Sequence, residues 1–203
     1  MRRIFVSTLA CAVALSLCFG SNAAADDPGI SIDDIQYTGS GCPPGSVFVD
    51  LAPDGQAFVA TYAEFTTEVG PGLPPSASRK HCQLRLTLHV PRGFTYTIAA
   101  VDYGYPVSIA RGARGMLKQV FYFAGQEPQA STWRIFDGPF DDDWHVRDEV
   151  EYANLVWAPC NVARPLNIDT QVRLDKGTSD RSVRSFITID RQVFHLIWRT
   201  CAE

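Results

Sequence analysis

Beyond residue 25 the sequence has no apolar run approaching the roughly 20 residues that a membrane-spanning helix needs, which excludes a polytopic membrane protein. Positive charge is scarce. Lys plus Arg number 18 against 22 Asp plus Glu, giving a net charge of −4, and this argues against a nucleic-acid partner held by bulk electrostatics. No Gly-x-Ser-x-Gly elbow, phosphate loop or dinucleotide fingerprint occurs, so the common nucleophile and nucleotide chemistries have no motif. No Cys-x-x-Cys pair is present, and His81 beside Cys82 has no second ligand at zinc spacing. Sustained 3.6-residue amphipathicity, internal repeats, low-complexity tracts and Asn-x-Ser/Thr acceptor sites are also missing.

What is present begins with an export leader. Arg2 and Arg3 precede the 16 apolar-rich residues Ile4 to Phe19, and Ala23-Ala24-Ala25 supplies small residues for cleavage after Ala25. A lipoprotein reading would use Cys18, but Leu17 stands where a small residue is required. Cleavage leaves 178 residues, moves the net charge to −6 through loss of Arg2 and Arg3, and retains Cys42, Cys82, Cys160 and Cys201. Four cysteines behind an export signal imply two disulfides in an oxidising, extracellular compartment. Three pairings are open. Cys42 with Cys82 and Cys160 with Cys201 is favoured because it closes loops of similar size, each bridge contributing roughly 4 kcal/mol.

The mature chain reads as strands. Leu84, Leu86, Leu88 and Val90 alternate with polar residues until Pro91-Arg92-Gly93, and Leu166, Ile168, Thr170, Val172 and Leu174 repeat the pattern. Phe94 to Val101 follows, with Phe94, Tyr96 and Ile98 on one face. Val47 to Leu51, Ala57 to Phe65, Met116 to Phe123, Thr132 to Phe136, Phe186 to Ile189 and Val193 to Trp198 complete about nine strands. Pro/Gly-rich connectors at Cys42 to Gly45 and Gly70 to Pro75 separate them. The expectation is an all-β fold, an antiparallel β-sandwich or jelly roll stapled by two disulfides, occupying residues 26 to 203 as one domain.

The order of several landmarks resembles the secreted family known as domain of unknown function 4360, found in fungi and bacteria. They are Gly39-Ser40-Gly41-Cys42-Pro43, Arg79-Lys80-His81-Cys82-Gln83-Leu84, Val90-Pro91-Arg92-Gly93-Phe94, Val101-Asp102-Tyr103 and Tyr122-Phe123-Ala124-Gly125. Gly138-Pro139, Val156-Trp157-Ala158-Pro159-Cys160, Leu166-Asn167-Ile168 and Trp198-Arg199-Thr200-Cys201 continue it across nearly the whole mature chain. Ala158 departs from a Ser, and His81 from an Asn, in that pattern. The resemblance implies a small exported protein and carries over no catalytic or ligand residue.

Candidate chemistry centres on Asp137 to His145, read as a loop. Asp141 and Asp142 are candidate ligands for Ca²⁺, a cofactor that is possible rather than required, against a solvated acidic turn. Asp143, Trp144 and His145, with Tyr103 and Tyr105 on a loop built by Gly104 and Pro106, make a candidate surface for an extracellular ligand such as a glycan, the indole stacking on sugar rings. This non-catalytic binding role is the leading expectation. Its rivals are a hydrolase or lyase drawing on Asp141 to Asp143 with His145, and a protease inhibitor or other interaction factor using the Gly70 to Pro75 loop. Trp157 and Trp198 are expected to pack on the disulfides, Trp133 is left between core and surface with the core reading ahead, and His89 and His195 read as strand-surface residues. Arg111 to Gly115 is a connector or an anion grip.

Overall fold

The computed structural model describes residues 29–127 and 129–201. The leader and its cleavage site lie outside them. Twelve strands are formed: β1 (Ser31–Thr38), β2 (Val47–Leu51), β3 (Ala57–Tyr62), β4 (Thr66–Val69), β5 (Arg79–His89), β6 (Phe94–Ile109), β7 (Arg114–Phe123), β8 (Gln129–Asp137), β9 (Phe140–Glu149), β10 (Leu166–Asp175), β11 (Ser185–Thr188) and β12 (Arg191–Thr200). Among the described residues helix is confined to two single turns, Pro75–Ser78 and Tyr152–Asn154. Among the described residues no helix is long and apolar enough to cross a membrane.

The strands form two antiparallel sheets, one ordered β1-β5-β10-β7-β8 and the other β2-β3-β12-β6-β11-β4, with β9 on the far edge of β6. Their inner faces meet as a sandwich. Phe121 of β7 lies edge-on to Phe194 of β12 at 6.3 Å, while the Tyr103 hydroxyl crosses from β6 to donate to Gln119 Oε1 on β7 at 2.8 Å. Gln119 Nε2 in turn donates to Thr170 Oγ1, so this buried polar chain is hydrogen-bonded rather than stranded in apolar surroundings. Alternation explains the layers: Leu84, Leu86 and Leu88 of β5 and Leu166, Ile168, Val172 and Leu174 of β10 are all buried.

Both expected disulfides are formed, with Cα separations of 5.4 Å for Cys42–Cys82 and 5.9 Å for Cys160–Cys201. The tryptophans near the second bridge make further contacts. Trp198 is half-buried against the Tyr96 ring and donates to the Gly55 carbonyl, and Arg199 lies 3.9 Å over the ring of half-buried Trp157.

Strand β6 organises the rest of the molecule. The pairing of β12 with β6 shifts register between His195 and Leu196, opposite Ala99, and the inward set changes from Tyr96 and Ile98 to Val101, Tyr103, Tyr105, Val107 and Ile109. The expected loop at Asp102 to Pro106 is therefore a continuation of the strand. Pro106 falls between the stretches of β6 paired with β12 and with β11, where its missing N–H removes no rung on that side.

Candidate functional site

Tyr103 and Tyr105 are 2% and 1% exposed, so they belong to the core and not to a binding loop. Burial drives both phenols well above their ordinary pKa. Asp141, Asp142, Asp143, Trp144 and His145 are likewise on a strand, because β9 pairs with β6 from Ile109↔Phe140 to Ala100↔Glu149. Consecutive strand residues point to opposite faces, which separates Asp141 from Asp142 and spoils them as joint Ca²⁺ ligands. Among the described residues no three His, Cys, Asp or Glu side chains gather as a metal shell. Trp144 pairs through its backbone with Tyr105; its side chain lies outside the described part of the structure.

Asp143 and His145 do share a face with other functional groups, the outer face of the seven-stranded sheet. Register places Ala100, Asp102 and Gly104 of β6 between Glu149, Arg147 and His145 on β9 and His195, Val193 and Arg191 on β12. Ala100 of this row lines a shallow trough with Arg147, Glu149 and His195, and Asp102 sits beside it. A Cβ on Gly104 would meet His145 Nε2 at 3.4 Å, an ordinary contact, and Gly104 continues the strand instead of making a turn. Asp102 Oδ2 is 2.6 Å from His195 Nε2, and its Oδ1 is 3.6 Å from Arg147 Nε. His195 is thus an engaged, half-buried histidine, whereas His89 is exposed beside Asp33 as a strand-surface residue.

The chain after β9 continues along the edge of β6. Val150 N–H donates to the Ala99 carbonyl, Thr97 Oγ1 to the Val156 carbonyl and Thr95 Oγ1 to the Ala158 carbonyl. These bonds hold the Tyr152–Asn154 turn at the rim, with Tyr152 83% exposed. On one side lies a groove of about 430 Å³ lined by Gln56, Ala100, Arg147, Glu149, Tyr152 and His195 among others. On the other, between β8 and β9, lies a cleft of about 370 Å³ lined by Ser131, Thr132, Trp133, Asp148, Glu149 and Asn154 with Val150 and Glu151.

Trp133 forms one wall of that cleft and is 68% exposed. Its outward position follows from its neighbours: Ala130, Thr132 and Phe136 take the inward register of β8, leaving Trp133 and Ile135 to solvent. At the floor Arg134 of β8 pairs with Asp148 of β9 and also donates to the Arg147 carbonyl, tying the two strands across the open side of the sandwich. Two other expectations are altered. Arg114 is committed to Asp137 at 2.6 Å, which raises the guanidinium pKa further, and with Gly115 it begins β7, so Arg114 is no open anion grip and only 111–113 form the connector. The Gly70 to Pro75 loop is largely exposed at the end of β4, the other edge of the sheet from β9.

Sequence reasoning missed Trp133, Asp102, Arg147, Tyr152 and His195. The one local signal was the Asp102 that follows an apolar run; its partners are 45 and 93 residues away and only sheet register joins them.

The family model described as Domain of unknown function (DUF4360) matches residues 28–201. A protein of Arthroderma benhamiae described as an uncharacterized secreted protein is 34% identical over 190 residues, covering 91% of this chain and 77% of its own length. Among solved structures, TmCBM61 in complex with beta-1,4-galactotriose has a TM-score of 0.30 at 13% identity, covering 80% of this chain and 89% of its own. TmCBM27, described for specific mannan recognition, has a TM-score of 0.27 at 10% identity, covering 82% and 98%. Scores this low carry no argument about the ligand of the present protein. The matches to the family model and to the fungal relative are of another order, and by them this chain belongs to the DUF4360 family.

Proposed function

We propose that residues 26 to 203 form an exported β-sandwich that captures an extracellular polysaccharide in the cleft between β8 and β9. Export is supported by the leader pattern, by two closed disulfides and by the secreted description of the fungal relative. The observation that carries the ligand class is Trp133. A largely exposed indole on a regular strand is an apolar surface left uncovered, and here it stands over a cleft whose other groups are Glu149, Glu151, Asn154 and Ser131. A sugar ring offers the matching chemistry, with a C–H face for the indole and hydroxyls for the carboxylates, amide and serine. The cleft volume falls within the roughly 300–1,000 Å³ of small-ligand sites.

The test is retention of the processed protein by insoluble polysaccharides and on a glycan array. Trp133→Ala should weaken binding by about tenfold or more, as for loss of an aromatic anchor, while circular dichroism and thermal unfolding stay as in the parent. Absence of binding to every polymer, or full binding by the alanine variant, would remove the proposal.

A further inference from the structure

The trough on the outer face of the seven-stranded sheet shares Glu149 and Val150 with the Trp133 cleft but adds His195, Arg147 and Tyr152. We propose that it is a β-elimination site for uronic-acid polysaccharides, with His195 as the base, Arg147 as the clamp for the uronate carboxylate and Tyr152 as the proton donor. This goes beyond capture at Trp133 and does not depend on it.

The geometry is that of a base held by an orienting acid. Asp102 Oδ2 accepts from His195 Nε2 at 2.6 Å and so fixes the Nε2–H tautomer. The lone pair then resides on Nδ1, to which no protein group is hydrogen-bonded among the described residues, and the ring lines the groove. The groove lining contains no Ser, Thr or Cys. A His–Asp pair without a nucleophile suits proton abstraction rather than acyl transfer. In a polysaccharide, a proton acidic enough for imidazole is the one on the carbon next to a carboxylate, which is C5 of a uronic acid. As C5 loses it, charge grows on that carboxylate and needs a fixed cation. Arg147 stands on the other oxygen of Asp102, 3.6 Å away, with about half its side chain exposed, and it lines the groove. Glu149, two residues along the same face of β9, repels a carboxylate and leaves the Arg147 end as its seat.

The step balances without water or an oxidant. His195 Nδ1 takes the C5 proton, the C5–H electron pair becomes the C4–C5 double bond, and the bond from C4 to the glycosidic oxygen breaks. That oxygen takes the phenolic proton of Tyr152, and solvent restores both side chains. Asp102 is a positioning residue.

The experiment follows the ultraviolet absorbance of the C4–C5 unsaturated uronate when the processed protein is incubated with polygalacturonate, alginate or hyaluronan. Product from at least one polymer is expected, with turnover falling about a hundredfold or more in both His195→Ala and His195→Gln. Asp102→Asn should lower kcat with KM kept, Asp102→Glu should restore part of it, and Arg147→Ala should raise KM as well. A folded protein that makes no unsaturated product from any of the three overturns the proposal. So do undiminished turnover in the His195 variants, and new reducing ends without the double bond. Trp133→Ala should lose retention by insoluble polymer yet still cleave short oligouronides, which separates failure of capture from failure of chemistry; loss of that cleavage counts against a separate trough.

Discussion

Strands β8 and β9 follow one another through the cis Gly138–Pro139 bond, join opposite sheets, and each lies at a sheet edge, β8 beside β7 and β9 beside β6. Their exposed side chains differ in kind. β8 shows Trp133 and Ile135 to solvent, whereas β9 shows Asp141, Asp142, Asp143 and His145. An open edge invites pairing with another chain, and a run of like charges opposes it. The acidic run is of the kind that opposes edge pairing, and the neighbouring edge, with an apolar ring uncovered, is the one to which the proposed capture is assigned. The polar cluster of Asp141, Asp142, Asp143 and His145 lies on an edge strand rather than a loop, and the Trp133 indole lines the cleft rather than the core.

Replacing a residue of the core beneath these edges should have the largest effect. Tyr105→Ala is expected to cost about 3–5 kcal/mol of stability in chemical denaturation, as for other large buried side chains, with polysaccharide binding by the remaining folded fraction unchanged. A small loss of stability together with abolished binding would return Tyr105 to the surface and break the comparison.

Alkaline pH probes the same burial. Tyr62, Tyr96, Tyr103 and Tyr105 all have phenols raised by desolvation. The folded state keeps these protons while the unfolded chain releases them above about pH 10. Unfolding then releases protons, so the stability they contribute is complete below that pH and declines above it, by up to about 1.4 kcal/mol per pH unit for each tyrosine. A midpoint of unfolding that stays flat from about pH 9 to pH 11 would contradict four buried phenols.

The smallest effect on stability is expected from the edge itself. Asp141→Thr, Asp142→Thr and Asp143→Thr combined should change stability by less than about 0.5 kcal/mol but raise self-association in light scattering, leaving capture at Trp133 intact. Loss of polysaccharide binding in that triple variant would show that the two edges form one site rather than two with different tasks.

The three strands not legible in the sequence, β1, β4 and β9, are all sheet edges. An edge strand has less to bury, so Ser31–Thr38 and Phe140–Glu149 carry charges where a central strand carries an apolar alternation. Gly104 and Pro106 misled in a different way, since both mark turns in isolation yet here continue a strand whose neighbours demand nothing they lack. Trp133 was ambiguous because both parities of Thr132 to Phe136 include an aromatic, and only the seating of Phe136 against Tyr105 decides between them.

Local chemistry therefore determined the all-β character and nine of the strands, since alternation and β-prone composition are properties of contiguous chain, whereas the disulfide pairing favoured among three was decided by the fold. Which groups share a surface was decided by tertiary structure alone. Asp102, Arg147 and His195 come together because three strands distant in sequence take one register, and a bulge opposite Ala99 sets which of their neighbours face inward. Side chains on adjacent strands meet according to pairing, and pairing is fixed by the burial of the whole sandwich.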